Sequence, residues 1–133
     1  MKRKGIINKQ LAGCIASLGH KDLFMICDGG MPLPKDVEVV DLALVGGVPT
    51  FKQAMEAILD EAGVEEYYLA EEIKANNPKL LEYIQGKLRD VPCTYVPHEP
   101  EFKELSKKCK FIVRTGEFSV YPNIILKAFC SFQ

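Results

Sequence analysis

The chain reads Leu23-Phe24-Met25-Ile26-Cys27 and then Asp28-Gly29-Gly30, so that an apolar run ends in an acidic residue and a turn. The run predicts a buried β-strand, and the two glycines mark its end. Small ligands of open α/β proteins bind beyond the carboxyl ends of strands, where Asp28 would stand. His20 lies upstream, at the end of a predicted helix. The carboxylate and the imidazole are therefore a candidate acid–base pair.

Strand-like and helical segments alternate on both sides of this run. Asn8 can cap one helix, and Thr50 with Gln53 has the capping-box spacing that starts another. We predict helices over residues 8–19, 51–62 and 78–89, strands over residues 23–27, 38–44, 64–70, 93–96 and 111–114, a loop running into a helix over 97–107, and a final apolar run over 124–132. The alternation predicts an α/β layered single domain over residues 1–133, with a mostly parallel central sheet flanked by helices.

The composition excludes several classes of function. The 133 residues carry 17 basic and 18 acidic side chains, with no basic stripe of the kind that phosphate backbones require, so we expect no nucleic-acid partner. No segment approaches the roughly 18 apolar residues of a membrane span, and residues 1–8 hold no signal-peptide core. We therefore expect no membrane insertion and a cytoplasmic location.

The cysteines, the glycine pairs and the adjacent glutamates give little support for a metal site, a nucleotide site or carboxylate-pair catalysis. The five cysteines are scattered without CxxC spacing, which predicts buried free thiols and neither a disulfide framework nor a metal site. Gly29-Gly30 and Gly46-Gly47 fit no nucleotide-binding loop, so no cofactor is expected. Glu71-Glu72, followed by Lys74, is interpreted as a solvated charge run.

The remaining polar candidates each have a structural alternative. His20 could cap helix carbonyls, Asp28 could brace its turn, and His98 could be an ordinary loop residue. The segment Tyr121-Pro122-Asn123 offers a stacking face, a phenol and an amide to a sugar, although a turn alone would also explain it. Thr115-Gly116-Glu117 lies in a second loop of this kind. Local spacing leaves these alternatives open.

A collinear set of motifs resembles the D-ribose pyranase family, which is related to the fucose mutarotases. The motifs cover essentially the whole chain: Gly19-His20-Lys21-Asp22, Cys27 to Pro34, Asp41 to Leu44, Gly47 to Phe51, Ala70 to Pro78, His98-Glu99 with Phe102-Lys103, Val113 to Glu117, and Tyr121 to Leu126. The Met31-Pro32-Leu33-Pro34 stretch is similar to the ribose branch rather than the fucose branch.

The resemblance implies roles for individual residues. His20 matches the family's proton-donating histidine, whereas Asp28, His98, Tyr121, Pro122 and Asn123 match its substrate-binding positions; Lys103 is associated less securely with the sugar site. Two departures stand out, because the family usually has Ala at the position of Gly29 and Pro-Tyr-Ala-Asn at residues 120–123. Pro122 lacks an N–H, so no sugar contact can be made through that amide.

The resemblance also implies an activity and an assembly. The family interconverts the pyranose and furanose forms of D-ribose and forms homo-oligomeric rings, here expected to be decameric with shared active sites. The alternatives are a mutarotase for another sugar such as fucose, and a non-catalytic sugar-binding protein of ribose uptake. An imidazole that titrates near neutrality suits proton exchange during ring opening and closure, and no metal or cofactor is required.

Overall fold

The computed structural model describes residues 1–132 of the chain. These residues contain six strands and five α-helices. The helices are α1 (Lys9–Ala16), α2 (Phe51–Leu59), α3 (Ile73–Asn76), α4 (Pro78–Lys87) and α5 (Lys103–Ser106), and a wide π-type turn spans His98–Phe102. The strands are β1 (Leu23–Cys27), β2 (Glu38–Asp41), β3 (Val64–Ala70), β4 (Cys93–Val96), β5 (Phe111–Arg114) and β6 (Ile124–Ala128).

All six strands form one sheet in the order β2-β5-β1-β6-β3-β4. The pairs β1–β5, β2–β5 and β3–β4 are parallel, whereas β6 runs antiparallel to both β1 and β3. The predicted α/β domain with a mostly parallel sheet is thus confirmed. Within residues 1–132, no helix is long and apolar enough to cross a membrane.

Strand β1 is buried on both faces of the sheet. Phe24 and Ile26 belong to a large core cluster that includes side chains of α1, α2 and α4, and Met25 and Cys27 belong to a smaller cluster around Phe102. The four β1 side chains are 0 % exposed. Because burial of one large apolar side chain stabilises a fold by about 1.5–3 kcal/mol, this strand anchors both layers of the domain.

The strand directions bring several polar residues to one edge of the sheet. Strands β1 to β5 end at this edge, and the reversed strand β6 begins there. Asp28 follows β1, His98 comes two residues after β4, and Asn123 immediately precedes β6. The sheet therefore collects side chains that are distant in the sequence.

Local signals in the sequence predicted how helices begin better than where elements end. Asn8 Oδ1 accepts the N–H of Leu11 at 2.9 Å, and Thr50 and Gln53 form the predicted capping box. Helix α1, however, ends at Ala16 instead of residue 19. Directly after Ala16, the Ser17 hydroxyl donates to the Cys14 carbonyl at 2.7 Å and competes with the main-chain hydrogen bonds of the helix.

Other element ends also differ from prediction. Strand β2 stops at Asp41, helix α4 stops at Lys87, and the short helix α3 was not predicted. The final apolar run forms strand only to Ala128, and Phe129 beyond it is 45 % exposed. The apolar residues beyond these ends pack against neighbouring elements or are exposed to solvent. The local sequence pattern does not distinguish such residues from those of a strand or helix.

The thiols provide a test of this fold. Burial raises the pKa of both Cys27 and Cys109 to about 12, and a thiol must ionise before it is alkylated. We predict that N-ethylmaleimide at neutral pH modifies the half-buried Cys130 rapidly and leaves Cys27 and Cys109 unmodified until urea unfolds the chain. Peptide mass spectrometry measures each site; equal labelling of Cys27 and Cys130 in the native protein would contradict the described packing.

Candidate functional site

A cavity of about 460 Å³ opens at the edge where the parallel strands end. It is lined by residues 28–32 after β1, by His98 after β4, by residues 117–121 after β5, and by Asn123 before β6. Its volume falls within the range of about 300–1,000 Å³ found for small-molecule sites. Of the predicted site residues, Asp28, His98, Tyr121 and Asn123 come together here.

Asp28 and Asn123 form a reciprocal pair across the junction of β1 and β6. The Asp28 N–H donates to Asn123 Oδ1 at 2.9 Å, and Asn123 Nδ2 donates to Asp28 Oδ2 at 3.2 Å. Asp28 Oδ1 also accepts the N–H of Gly30 at 2.8 Å, which is the predicted bracing of the turn. Asn123 is 1 % exposed, so its amide holds the carboxylate from within the protein.

Arg114 fixes the main chain of the same turn from the side of β5. Its Nε and Nη2 donate to the Gly29 carbonyl at 3.1 and 2.9 Å, and its Nη1 donates to both carboxylate oxygens of Asp41 at 3.1 and 3.0 Å. The planar guanidinium thereby joins the carboxyl ends of β1, β2 and β5. The local sequence gave no signal for this role of Arg114.

Tyr121 has an unusual backbone conformation in the segment that precedes β6. Its φ is +57°, in the left-handed region that residues other than glycine seldom adopt. The Asn123 N–H donates to the Tyr121 carbonyl at 2.9 Å across Pro122, and Asn77 Nδ2 donates to the Val120 carbonyl at 2.8 Å. Pro122 is itself buried and does not line the cavity, so its contribution is to shape the turn.

His98 is wedged between two aromatic rings. Its imidazole stacks on Phe102 with 6.0 Å between ring centroids and meets Tyr121 edge to face at 5.3 Å. The Nδ1 atom is buried, and no hydrogen-bond partner for it occurs among residues 1–132, which is unusual for a buried polar atom. Lys103 pairs with Glu99 and does not line the cavity.

Glu72 holds the main chain of His98 in place. Both of its carboxylate oxygens accept the His98 N–H, at 3.0 and 3.1 Å. The interpretation of Glu71-Glu72 as a solvated charge run is therefore right for Glu71, which is exposed and paired with Lys74 at 2.9 Å, and wrong for Glu72. The two neighbours point in different directions, and only the position of β4 decides which of them reaches His98.

His20 lies away from the cavity of its own chain. It precedes β1 and pairs with Glu65 Oε2, at the start of β3, at 3.1 Å, whereas Asp28 follows β1. The five residues of β1 extend over about 16 Å, at about 3.3 Å per residue. The predicted pair of His20 and Asp28 is thus not formed within one chain, because the two residues stand at opposite ends of the strand.

Exposed apolar side chains form a rim on one side of the cavity, where two segments meet and Phe118 and Val120 line the cavity. They come from the loop after β2 and from the segment after β5, and they are Leu44, Val45, Val48, Phe118 and Val120. The two segments are joined by Gly47 N–H to Gly116 O at 2.6 Å and Gly116 N–H to Pro49 O at 2.9 Å. A contiguous apolar rim of this kind is typical of a surface that another protein covers.

The arrangement can bind a small hydroxylated ligand. The cavity presents a carboxylate, an imidazole, a phenol and an aromatic face, which together accept hydrogen bonds, donate them and stack on a sugar ring. No cluster of three or more His, Cys, Asp or Glu side chains suited to a metal occurs in residues 1–132.

Fold and cavity together define a small α/β protein with a cavity suited to a polar ligand at the carboxyl edge of its sheet. The chain belongs to the RbsD / FucU transport protein family, whose model matches residues 1–130. Among curated relatives, the D-ribose pyranase of Geobacillus thermodenitrificans is 48 % identical over 100 % of both chains. The D-ribose pyranase of Lactiplantibacillus plantarum is 46 % identical over 99 % of this chain and 100 % of its own.

Solved structures agree with this membership. Bacillus subtilis RbsD, complexed with D-ribose, superposes with a TM-score of 0.93 at 40 % identity, covering 98 % of each chain. The fucose mutarotase of Streptococcus pneumoniae, in complex with L-fucose, has a TM-score of 0.74 at 23 % identity, covering 93 % of this chain and 94 % of its own, and shares the fold.

The reciprocal pair can be tested by exchanging its members. In the Asn123→Asp variant a buried carboxylate faces the half-buried carboxylate of Asp28. We predict a loss of about 1–3 kcal/mol in the free energy of unfolding, as for other unpaired buried polar groups. The double variant Asp28→Asn with Asn123→Asp keeps a donor opposite an acceptor and should recover most of the loss. Urea denaturation measures both; a double variant no more stable than Asn123→Asp alone would contradict the pairing.

Proposed function

We propose that this protein is a cytoplasmic D-ribose pyranase, which interconverts the pyranose and furanose forms of D-ribose and supplies the furanose for ribose catabolism. The observation that carries the proposal is the cavity with Asp28, His98, Tyr121 and Asn123, in a chain 40 % identical to a protein solved with D-ribose. Five free cysteines accord with a reducing compartment.

The reaction is an opening and reclosure of a hemiacetal. A proton leaves the anomeric hydroxyl while another reaches the ring oxygen, and the open aldehyde then closes through a different hydroxyl, with no net gain or loss of protons. In the proposed assignment His20 exchanges the proton with the sugar. Asp28, His98, Tyr121 and Asn123 hold the sugar hydroxyls and the ring, and Pro122 shapes their loop.

We also propose that the active site is shared between subunits of a homo-oligomer, which the family resemblance implies is a decameric ring. Two observations support sharing: His20 stands at the opposite end of β1 from the cavity, and exposed apolar side chains form a rim on one side of the cavity. A neighbouring subunit that covers this rim would bring its own His20 to the cavity and exclude water from it.

Magnetisation transfer between the NMR signals of pyranose and furanose ribose tests the activity. We predict that the purified protein accelerates exchange and that His20→Ala lowers the acceleration by about a hundredfold or more, as expected for loss of an acid–base group. The exposed Lys108→Ala is the matched control and should exchange ribose like the wild type. Acceleration for fucose alone would identify a mutarotase for another sugar, and ribose binding without acceleration a transport-associated binding protein.

Mixing two inactive variants tests the sharing of sites. His20→Ala keeps an intact cavity, and Tyr121→Ala keeps an intact imidazole, so subunits mixed one to one after reversible dissociation should regain about a quarter of wild-type activity if each site combines two subunits at random. Each variant refolded alone provides the control. An active monomer in size-exclusion chromatography, or no recovery in verified mixed oligomers, would refute sharing.

A further inference from the structure

Glu117 stands where three segments around the cavity meet, and its side chain is half-buried between them. We propose that Glu117 is a positioning residue for ribose binding and is not itself a sugar ligand. It holds two parts of the cavity wall in register: the turn at residues 28–30 (the Asp28 turn) and residues 118–121 (the Tyr121 segment). The inference rests on the proposed ribose pyranase function. It assigns a specific role to a residue that the sequence analysis placed only in a loop able to offer polar groups to a sugar.

The carboxylate of Glu117 is occupied by main-chain donors from two segments. Oε1 accepts the N–H of Phe51, in the first turn of α2, at 2.9 Å, and Oε2 accepts the N–H of Ser119 at 3.3 Å. Phe51 is 0 % exposed and is therefore fixed in the core. The carboxylate thus ties the segment that leads to Tyr121 to a helix that is packed into the core.

The main chain of Glu117 reaches the third segment. Its carbonyl accepts the N–H of Gly29 at 3.0 Å, directly after Asp28, and its own N–H donates to Thr115 Oγ1 at 3.2 Å. The Thr115 hydroxyl in turn donates to the Cys27 carbonyl at 2.7 Å. A shift of Glu117 would therefore displace the turn that orients the Asp28 carboxylate.

The electrostatic surroundings keep this carboxylate ionised. Burial raises the pKa of Glu117, but the N–H donors of Phe51 and Ser119 and the charge of Lys52 outweigh it and hold the pKa below its usual range. The amino end of α2 contributes in the same direction, since a helix N-terminus favours negative charge. An ionised acceptor makes both bonds stronger than a neutral amide could.

Helix α2 offers a matched control because a second side chain caps it. Thr50 Oγ1 accepts the N–H of Gln53 at 3.1 Å, and Thr50 does not line the cavity. Thr50→Ala therefore weakens the same helix end without touching the Tyr121 segment. If Glu117 served only as a helix cap, Thr50→Ala and Glu117→Gln would have the same effects.

Glu117→Gln replaces one acceptor oxygen by an amino group that faces an N–H. We expect ribose to bind about tenfold more weakly, because the loosened segments would hold the binding geometry in only about a tenth of the ribose-free molecules. The exchange rate at saturating ribose should stay within about twofold of wild type. In ribose-free protein, the amide NMR signals of Gly29 and Ser119 should shift. Thr50→Ala should retain wild-type affinity and leave both signals in place.

Several results would overturn the inference. Wild-type affinity in Glu117→Gln, equal losses of affinity in Glu117→Gln and Thr50→Ala, or unchanged Gly29 and Ser119 signals would each do so. If Glu117→Gln does not fold, Glu117→Asp decides, since the shorter carboxylate keeps the charge but cannot span both donors; wild-type affinity in it refutes positioning. Failure of the wild-type protein to exchange ribose would instead refute the proposed function.

Discussion

The reversed direction of β6 is the constraint on which the cavity depends. β6 pairs antiparallel with β1 and β3 in the middle of an otherwise parallel sheet, so its amino end meets the carboxyl ends of its neighbours. The register Ile26 to Ile124 then places Asp28 and Asn123 within hydrogen-bond distance, although 95 residues separate them in the sequence. With β6 parallel, Asn123 would lie at the other edge of the sheet, and no cavity of this composition could form.

Around that junction, charged and amide side chains hold main-chain atoms of the loops. Glu72 fixes His98, Arg114 fixes Gly29, and Asn77 fixes Val120, each by a hydrogen bond from one element to the next. Such bonds orient the groups that line the cavity without occupying its space. The geometry of the cavity thus depends on these supporting residues as much as on the residues that line it.

The fold class, most strand positions and the residues around the cavity could be predicted from the sequence. Asp28 and Asn123 were candidates because each follows or precedes an apolar run, which is a local signal, but their expected role as sugar ligands came from the family resemblance. Glu72 and Arg114 were not identified, because their roles depend on which strands become neighbours. Local spacing also suggested that His20 and Asp28 lie together. They do not, because the two residues flank β1 and an extended strand holds its ends apart by its whole length.

Proline at position 122 has a consequence for the thermodynamics of ligand binding. Pro122 has a fixed φ and lies between Tyr121, whose φ is positive, and the buried Asn123. The ring removes conformations that this segment would otherwise sample in the free protein. More of the ordering of this segment therefore occurs during folding, and a ligand that contacts the segment would lose less of its binding free energy to conformational entropy than with a flexible residue at this position.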